Sequence, residues 1–280
     1  MTYKTILLHL HDIARAKRLL DVAVPLARKM DAHLIGLNVL PPYVVLPGGE
    51  YGSGAMTVDA HREAYREDVA KLKARFEDAT CLLAGKAEWR EADANFGSAV
   101  GTVIEHGRVC DLIIASQRNR NWTLSQYLEE PERIGIESGR PVLLVPNEGR
   151  ISVPPKRATI AWNGRREAVR AVFDALPLLS GTEEVNVVWV RPERDPQAAG
   201  DLPGSDICAT LTRHGLKCLA SQTSAADAGV GAELLRQANA FGSDLLVMGV
   251  YGHSRMREFM LGGASREVLA GMDRLVLMSH

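Results

Sequence analysis

The sequence contains little that would tie it to a membrane, a nucleic acid or an oxidising compartment. No apolar run approaches the ~20 residues of a transmembrane helix. The net charge is −1, from 33 basic and 34 acidic residues, which offers no basic surface to a nucleic acid. The first residues, MTYKTILLHLHD, lack a basic region and a cleavage site, so we interpret them as a strand and not as a signal peptide. We therefore expect a cytoplasmic protein without a membrane or nucleic-acid partner.

The cysteines form no C-x-x-C pair, and we interpret them as free thiols, most of them in the core. They are Cys81, Cys110, Cys208 and Cys218.

Common catalytic and metal-binding signatures are also missing. There is no G-x-S-x-G elbow and no SGGxDS-type loop, and the glycine-rich segment 47–56 lacks the Lys-Ser/Thr of a Walker-type loop. We interpret that segment as a linker or a lid. The histidines are scattered, and we expect His9 and His11 to point to opposite faces of the first strand. The sequence thus predicts no catalytic residues and no metal site.

The chain, 280 residues long, has a length natural for two domains of about 140 residues. CDLIIAS at 110–116 aligns with SDLLVMG at 243–249, and RPVLLVP at 140–146 aligns with DRLVLMS at 273–279 at the same offset. A register held over two strands indicates a tandem duplication. We place the domains at 1–150 and 151–280, joined by the proline-containing linker ISVPPKR.

Apolar runs alternate with longer amphipathic stretches in both halves, which predicts an α/β fold with a parallel sheet covered on both faces. Ligands of such folds bind beyond the carboxyl ends of the strands. The predicted strands are 4–10, 32–40, 86–92, 110–116, 141–146, 157–163, 184–190, 216–222, 243–249 and 274–279. The predicted helices are 13–30, 57–79, 97–108, 125–138, 165–180, 204–214, 227–241 and 264–272.

The most informative stretch is 243–265, where a buried strand leads through glycines into a helix. Glycines let the backbone approach a ligand closely, and the free N–H groups of a helix N-terminus favour phosphate. The serine can cap the helix or donate its hydroxyl to a phosphate. The alternative is that the glycines only form a turn and a C-cap. The residues concerned are Gly249, Gly252, Gly262, Gly263 and Ser265.

This spacing, G-x2-G-x9-G followed by a small residue and x-S, resembles the nucleotide loop of the universal stress proteins. The family usually has Ser or Thr where this chain has Gly263. The resemblance covers the whole chain, because each half resembles one domain of this family. It implies two tandem doubly wound parallel five-stranded sheets, of the Rossmann-like adenine nucleotide-binding type, with strand order 3-2-1-4-5.

The resemblance also implies ATP, with or without magnesium, in the second half. The backbone of Val190 would meet the adenine edge, and His253 and Arg255 would contact phosphates, although Arg255 could equally be a surface charge. Asn163 stands where the family has an acidic residue, so metal support is weaker. The implied cofactor-binding set is Ala161, Trp162, Asn163, Val190, Gly249, Gly252, His253, Arg255, Gly262, Gly263, Ala264 and Ser265.

The aligned positions of the first half lack the glycines and carry carboxylates, which repel phosphate. We therefore predict at most one adenine nucleotide per chain. The alternative is that these glutamates lie on an exposed helix face. The aligned residues are Ser116, Asn119, Glu129, Glu130 and Glu132.

Three functions remain open: a stress-response ATP-binding module without a catalytic constellation, a slow ATPase at the same site, and a nucleotide-free scaffold. For assembly, we expect the fifth strands, Val142–Val145 and Leu275–Met278, to pair within one chain and cover both sheet edges. This predicts an intramolecular pseudo-dimer and leaves further homo-oligomers open.

Overall fold

The computed structural model describes residues 2–43, 53–95, 97–191, 203–225, 229–250 and 263–280. Strands and helices alternate along the described chain, as the sequence predicts. The chain divides into two compact units, Tyr3–Ser138 and Gly139–His280.

The first unit contains a parallel sheet with helices between its strands. The sheet order is β3-β2-β1-β4. The strands are β1 (Thr5–His9), β2 (His33–Leu40), β3 (Ala87–Asp93) and β4 (Leu112–Ser116). The helices are α1 (Ala16–Met30), α2 (Ser53–Thr80), α3 (Ala99–Gly107), α4 (Ser125–Leu128) and α5 (Pro131–Glu137).

Burial explains why these segments form these elements. Every residue of β4 is buried, and so are the last four of β1, as expected for central parallel strands that helices cover on both faces. Helix α1 buries one face, whose residues recur at the three- and four-residue spacing of an amphipathic helix. These residues include Leu19, Val22, Ala23, Leu26 and Met30.

The second unit repeats this order and adds one strand. The sheet order is β8-β7-β6-β9-β10-β5, parallel except at the β10–β5 pair. The strands are β5 (Val142–Val145), β6 (Arg157–Ala161), β7 (Glu184–Arg191), β8 (Cys218–Ser224), β9 (Leu245–Gly249) and β10 (Leu275–Ser279). The helices are α6 (Arg166–Leu179), α7 (Ser205–Arg213), α8 (Val230–Phe241) and α9 (Gly263–Gly271).

The two fifth strands pair antiparallel, with Leu143 opposite Leu277. The expected strand pairing is therefore confirmed, and β5 belongs to the same compact unit as β10. The pseudo-twofold arrangement and the domain boundary at 150/151 remain predictions.

One contact recurs in both halves and supports their origin as a repeat. Asp111 accepts hydrogen bonds from the backbone N–H groups of Lys4 and Thr5 at 2.7 and 2.9 Å. Asp244 accepts the corresponding pair of N–H groups, ahead of and at the start of β6, at 2.8 and 3.1 Å. Each carboxylate thus fixes the beginning of the first strand in its half.

The prediction of one helix over 125–138 is wrong, because the segment forms two short helices, α4 and α5. Pro131 is the first residue of α5, and a proline has no N–H with which α4 could continue. Glu129, between the two helices, has an extended backbone with φ −127° and ψ 94°.

The expectation that most cysteines lie in the core is also wrong. Cys110 is buried, whereas Cys81 is exposed and the remaining two are half-buried. Within the described part of the chain, no helix combines the length and the apolar character needed to cross a membrane.

Candidate functional site

The expected ligand-binding edge of the first unit lies where β1 and β4 end. These strands are parallel neighbours, with Ile6 opposite Leu112, so the segments that follow them meet at one edge of the sheet. This is the edge at which doubly wound folds bind ligands. Polar side chains are buried here: His9, His11, Asp12, Ser116, Gln117 and Glu129.

Glu129 joins the two segments and is only 2% exposed. Its Oε1 lies 2.8 Å from His11 Nε2 and accepts a hydrogen bond from the Ser116 hydroxyl at 3.2 Å. The Arg15 guanidinium forms an ion pair with the same oxygen. Its Oε2 accepts the backbone N–H of Asn119 at 2.7 Å. One carboxylate therefore binds donors from the segment after β1 and from the segment after β4.

The pKa of Glu129 shows which form this carboxyl takes. Burial alone raises its pKa, but the hydrogen bond and charge of His11, the Arg15 guanidinium and the Asn119 N–H together hold the pKa well below its usual value. Glu129 is therefore an internal anion at neutral pH. A guanidinium, an imidazole and a backbone N–H, all groups that bind phosphate, are already satisfied by it.

The alternative of an exposed helix face does not hold for Glu129, which lies in the break between α4 and α5. Glu130 and Glu132 are half-exposed. Of the three aligned carboxylates, one is thus buried at the ligand-binding edge.

The expectation that His9 and His11 point to opposite faces is wrong. Their rings are stacked, with centroids 4.2 Å apart, because residues two apart in an extended segment lie on the same face. Burial, followed by the charge of His11, lowers the pKa of His9 well below its usual value. Among the described residues, no group of three or more His, Cys, Asp or Glu side chains is arranged to hold a metal ion.

A pocket of about 220 Å³ adjoins this cluster through His11. The buried hydroxyl of Tyr65, which lines it, accepts a hydrogen bond from Asn38 Nδ2 at 3.0 Å, and burial raises the pKa of Tyr65. The Trp122 ring lies 5.5 Å from the His11 ring. The lining residues are His11, Asp12, Ile13, Tyr65, Asp68, Trp122, Thr123 and Leu124.

The corresponding edge of the second unit carries smaller side chains. The β6–β9 pair has the same register as the β1–β4 pair, which places Ala161 at the position of His9 and Asn163 at that of His11. Asn163 is exposed, and its Oδ1 accepts the backbone N–H of Arg165 at 3.0 Å. Asn163 therefore lies on the surface, just beyond the end of β6.

Two further predicted residues, Trp162 and Val190, lie at the ends of neighbouring strands. The backbone N–H of Trp162 donates a hydrogen bond to the backbone carbonyl of Val188 at 2.9 Å. A Cβ added to Gly204, just before α7, would lie 3.5 Å from the Trp162 ring, which favours a packing role for this tryptophan. Val190 is half-exposed near the end of β7.

Gly249 has a packing reason to be glycine. A Cβ there would lie 2.6 Å from the carbonyl carbon of Glu167 and 2.8 Å from the backbone nitrogen of Ala168. Both belong to the first turn of α6, so Gly249 lets that turn approach the end of β9. The turn into α6 uses Gly164, whose φ is +68°, a value that favours glycine.

Of the predicted nucleotide loop, the structure describes Gly249 and the start of α9. Gly263 is its first residue, followed by the half-exposed Ala264. Ser265 is the third residue of α9 and is 4% exposed, so it lies inside the helix and not at its N-cap position. The alternative, that its hydroxyl donates to a phosphate, remains a prediction. Four predicted site residues, Gly252, His253, Arg255 and Gly262, lie outside the described residues.

The sequence interpretation missed the partners of Glu129, namely His11 and Arg15. The signal was present as H-x-x-x-R after the first strand, opposite a carboxylate at an aligned loop position. The fold brings the two loops together, and this pairing could have been predicted from the register.

Comparisons with solved structures identify the fold. A universal stress protein from Archaeoglobus fulgidus DSM 4304 matches with a TM-score of 0.69 at 17% identity, over 98% of this chain and 95% of that chain. A functionally unknown protein from Pseudomonas aeruginosa PAO1 matches with a TM-score of 0.59 at 14% identity, over 99% and 92%. A provisionally assigned universal stress protein from Pseudomonas aeruginosa UCBPP-PA14 matches with a TM-score of 0.57 at 15% identity, over 99% and 93%.

No protein-family model matches the sequence, and no curated protein matches it. The similarity to the solved structures covers nearly the whole chain. The protein therefore has the Rossmann-like α/β fold of the universal stress proteins, in a tandem arrangement.

Proposed function

We propose that this chain is a tandem universal-stress-type protein that binds one adenine nucleotide, ATP with or without magnesium, in its second half. It acts as a cytoplasmic stress-response binding module without a catalytic constellation. The site comprises Ala161, Trp162, Asn163, Val190, Gly249, Gly252, His253, Arg255, Gly262, Gly263, Ala264 and Ser265.

The proposal rests on the position of Glu129 in the first unit. The residue thirteen places after the last residue of β4 reaches the ligand-binding edge and acts there as an internal anion. The residue at the same distance after β9 is Gly262. A glycine supplies no carboxylate, so the aligned residue of the second half cannot act as an internal anion in place of a phosphate.

The start of α9 supports the same proposal. This helix begins at Gly263, directly after Gly262, and a helix N-terminus offers unpaired N–H groups and a positive dipole end to phosphate. A Cβ added to Gly263 meets no atom within 4 Å among the described residues. The described residues therefore leave room for the hydroxyl that the family usually has at this position.

One observation favours a second candidate, the nucleotide-free scaffold. The packing of Gly249 against α6 explains that glycine without a ligand. If the remaining glycines also serve turns alone, the second half has no need of a nucleotide.

The test compares Gly262→Ala with Gly263→Ser as the matched control. Gly262→Ala should lower ATP affinity at least tenfold, about 1.4 kcal/mol, because the Cβ blocks close approach to the helix N-terminus. Gly263→Ser should bind as well as the wild type or better, and both variants should stay folded. Calorimetric titration measures the affinities, and melting temperatures report folding.

Equal ATP affinities in all three proteins, or no binding by the wild type, would favour the scaffold. Steady release of ADP in the presence of magnesium would instead identify a slow ATPase.

A further inference from the structure

Two of the four cysteines, Cys208 and Cys218, belong to neighbouring elements of the second unit. Cys208 lies on α7, Cys218 is the first residue of β8, and both are free thiols. We propose that they form a redox-active pair, in which a peroxide oxidises the two thiols to a disulfide that ties α7 to β8. Neither cysteine belongs to the proposed nucleotide site, so this proposal can fail or succeed independently of nucleotide binding.

The strand register places Cys218 on the face of the sheet that α7 covers. Alternate residues of a strand share a face, so Cys218 and Ala220 point to the same side, and Ala220 stands opposite Val187 of β7. A Cβ added to Gly204, the residue before α7, would lie 3.1 Å from Val187 Cγ1. The start of α7 therefore packs on the face that carries Cys218.

The other face of β8 is turned towards α8. The Thr223 hydroxyl donates a hydrogen bond to Glu233 of α8 at 2.5 Å. Thr223 is an odd number of residues from Cys218 along the strand, so the two side chains point to opposite faces. Cys218 is thus directed away from α8 and towards α7.

Cys208 lies on the side of α7 that approaches the sheet. Its backbone N–H donates to the Gly204 carbonyl at 3.0 Å, so the two residues are one helical turn apart and share a face. The buried residues of α7, Ile207 and Leu211, mark the side that faces the sheet. Cys208 is half-buried beside them, where its sulfur can reach β8.

The turn between α7 and β8 brings the two cysteines to nearly the same level. The Leu216 N–H donates to the Leu211 carbonyl at 3.2 Å, so the chain reverses directly after the helix. Cys208 lies five residues before Arg213, the last residue of α7, which is about 7.5 Å along a helix. Cys218 lies two residues after Leu216, which is about 6.6 Å along a strand. The two side chains therefore leave their elements at similar distances from the turn.

The two thiols are close enough to act as hydrogen-bond partners. This contact lowers the pKa of Cys208 against the opposing effect of burial. The same contact raises the pKa of Cys218, and burial raises it further. Cys208 therefore ionises first, and the Cys218 S–H donates to its sulfur. A thiolate is the form that reacts with oxidants, and a neighbouring thiol converts the product to a disulfide.

The reaction balances with hydrogen peroxide as the oxidant. The Cys208 thiolate attacks one oxygen, the O–O bond breaks, and the released hydroxide takes up a proton and leaves as water. The Cys218 sulfur then attacks the sulfenic acid on Cys208, the S–S bond forms, the S–O bond breaks, and the oxygen leaves as water with the Cys218 proton. The two electrons that the sulfurs lose reduce the peroxide. A thiol reductant reverses the disulfide by exchange.

The experiment treats the full chain, without nucleotide, with a small molar excess of hydrogen peroxide and then alkylates the remaining thiols in denaturant. Trypsin cleaves after Arg213 and Lys217, so a Cys208–Cys218 disulfide holds two otherwise separate peptides together. Mass spectrometry should show this linked pair, and dithiothreitol should release it. The pair should lose its free thiols at least threefold faster than the exposed Cys81.

Cys218→Ser tests the division of roles between the two thiols. This variant should form no linked peptide and should leave Cys208 as a sulfenic acid that dimedone traps, because the second thiol is gone. The matched control is Cys81→Ser, which should form the linked peptide at the wild-type rate, and melting temperatures report the folding of both variants. No linked peptide in the wild type, faster thiol loss at Cys81 than at the pair, or no dimedone adduct at Cys208 in Cys218→Ser would each overturn the proposal.

Discussion

The ligand-binding edges of the two halves have the same strand register and different side chains. In the first unit the segments after β1 and β4 carry His11 and Glu129, which contact each other at 2.8 Å. In the second half the corresponding positions carry Asn163 and Gly262. Sheet geometry places the edge, and the residues just beyond the strands decide what can bind there.

The comparison also shows which polar groups at each edge are already engaged. In the first unit an internal carboxylate satisfies the guanidinium, imidazole and N–H groups, so these groups make structural contacts. A buried ion pair that loses one partner leaves an uncompensated charge. We therefore expect substitutions at the first edge to lower the stability of the protein and substitutions at the second edge to lower its affinity for a ligand.

The largest expected effect is on stability in the first unit. Glu129→Ala removes the shared partner of Arg15 and His11 and should lower the free energy of unfolding of this unit by about 3 kcal/mol. Urea denaturation monitored by hydrogen exchange in β1 and β4 measures the change. Since the pKa of Glu129 is lowered in the folded state, its contribution is present above the ordinary glutamate pKa and is lost as the pH falls below it. The difference between variant and wild type should therefore narrow below about pH 4.

The matched control for this variant is Glu130→Ala. Glu130 is half-exposed and lies 3.5 Å from Arg133, so its loss should change the free energy of unfolding by about 0.5 kcal/mol or less. A similar loss for both variants would show that the Glu129 cluster has no special role.

A smaller effect is expected from His9, whose counterpart in the second half is Ala161. The pKa of His9 is lowered in the folded state, so the unfolded chain takes up a proton that the folded chain does not. Stability should fall by up to about 1.4 kcal/mol for each pH unit below about 6.5. His9→Leu should reduce this acid sensitivity, measured by urea denaturation between pH 7 and 5. The exposed His214→Asn is the control, and an unchanged pH dependence in His9→Leu would contradict the assignment.

Much of the fold could be predicted from the sequence because buried strands and amphipathic helices are local patterns. The repeat, together with the resemblance to the universal stress proteins, also predicted the pairing of β5 with β10. The break at Pro131 was missed, although the proline is a local signal. The burial of Glu129 was harder to predict, because its partners His11 and Arg15 lie more than a hundred residues away and become neighbours only through the sheet order. The packing role of Gly249 was hidden for the same reason, since Glu167 approaches it only in the folded chain.

The measurement that tests the central claim most directly is a calorimetric titration of ATP into the wild type and into Gly262→Glu. This substitution gives the second half the carboxylate that the first half has at position 129. The account predicts one ATP per chain for the wild type and no detectable binding for Gly262→Glu, with both proteins folded. Two equivalent sites in the wild type, or one site retained in Gly262→Glu, would contradict it.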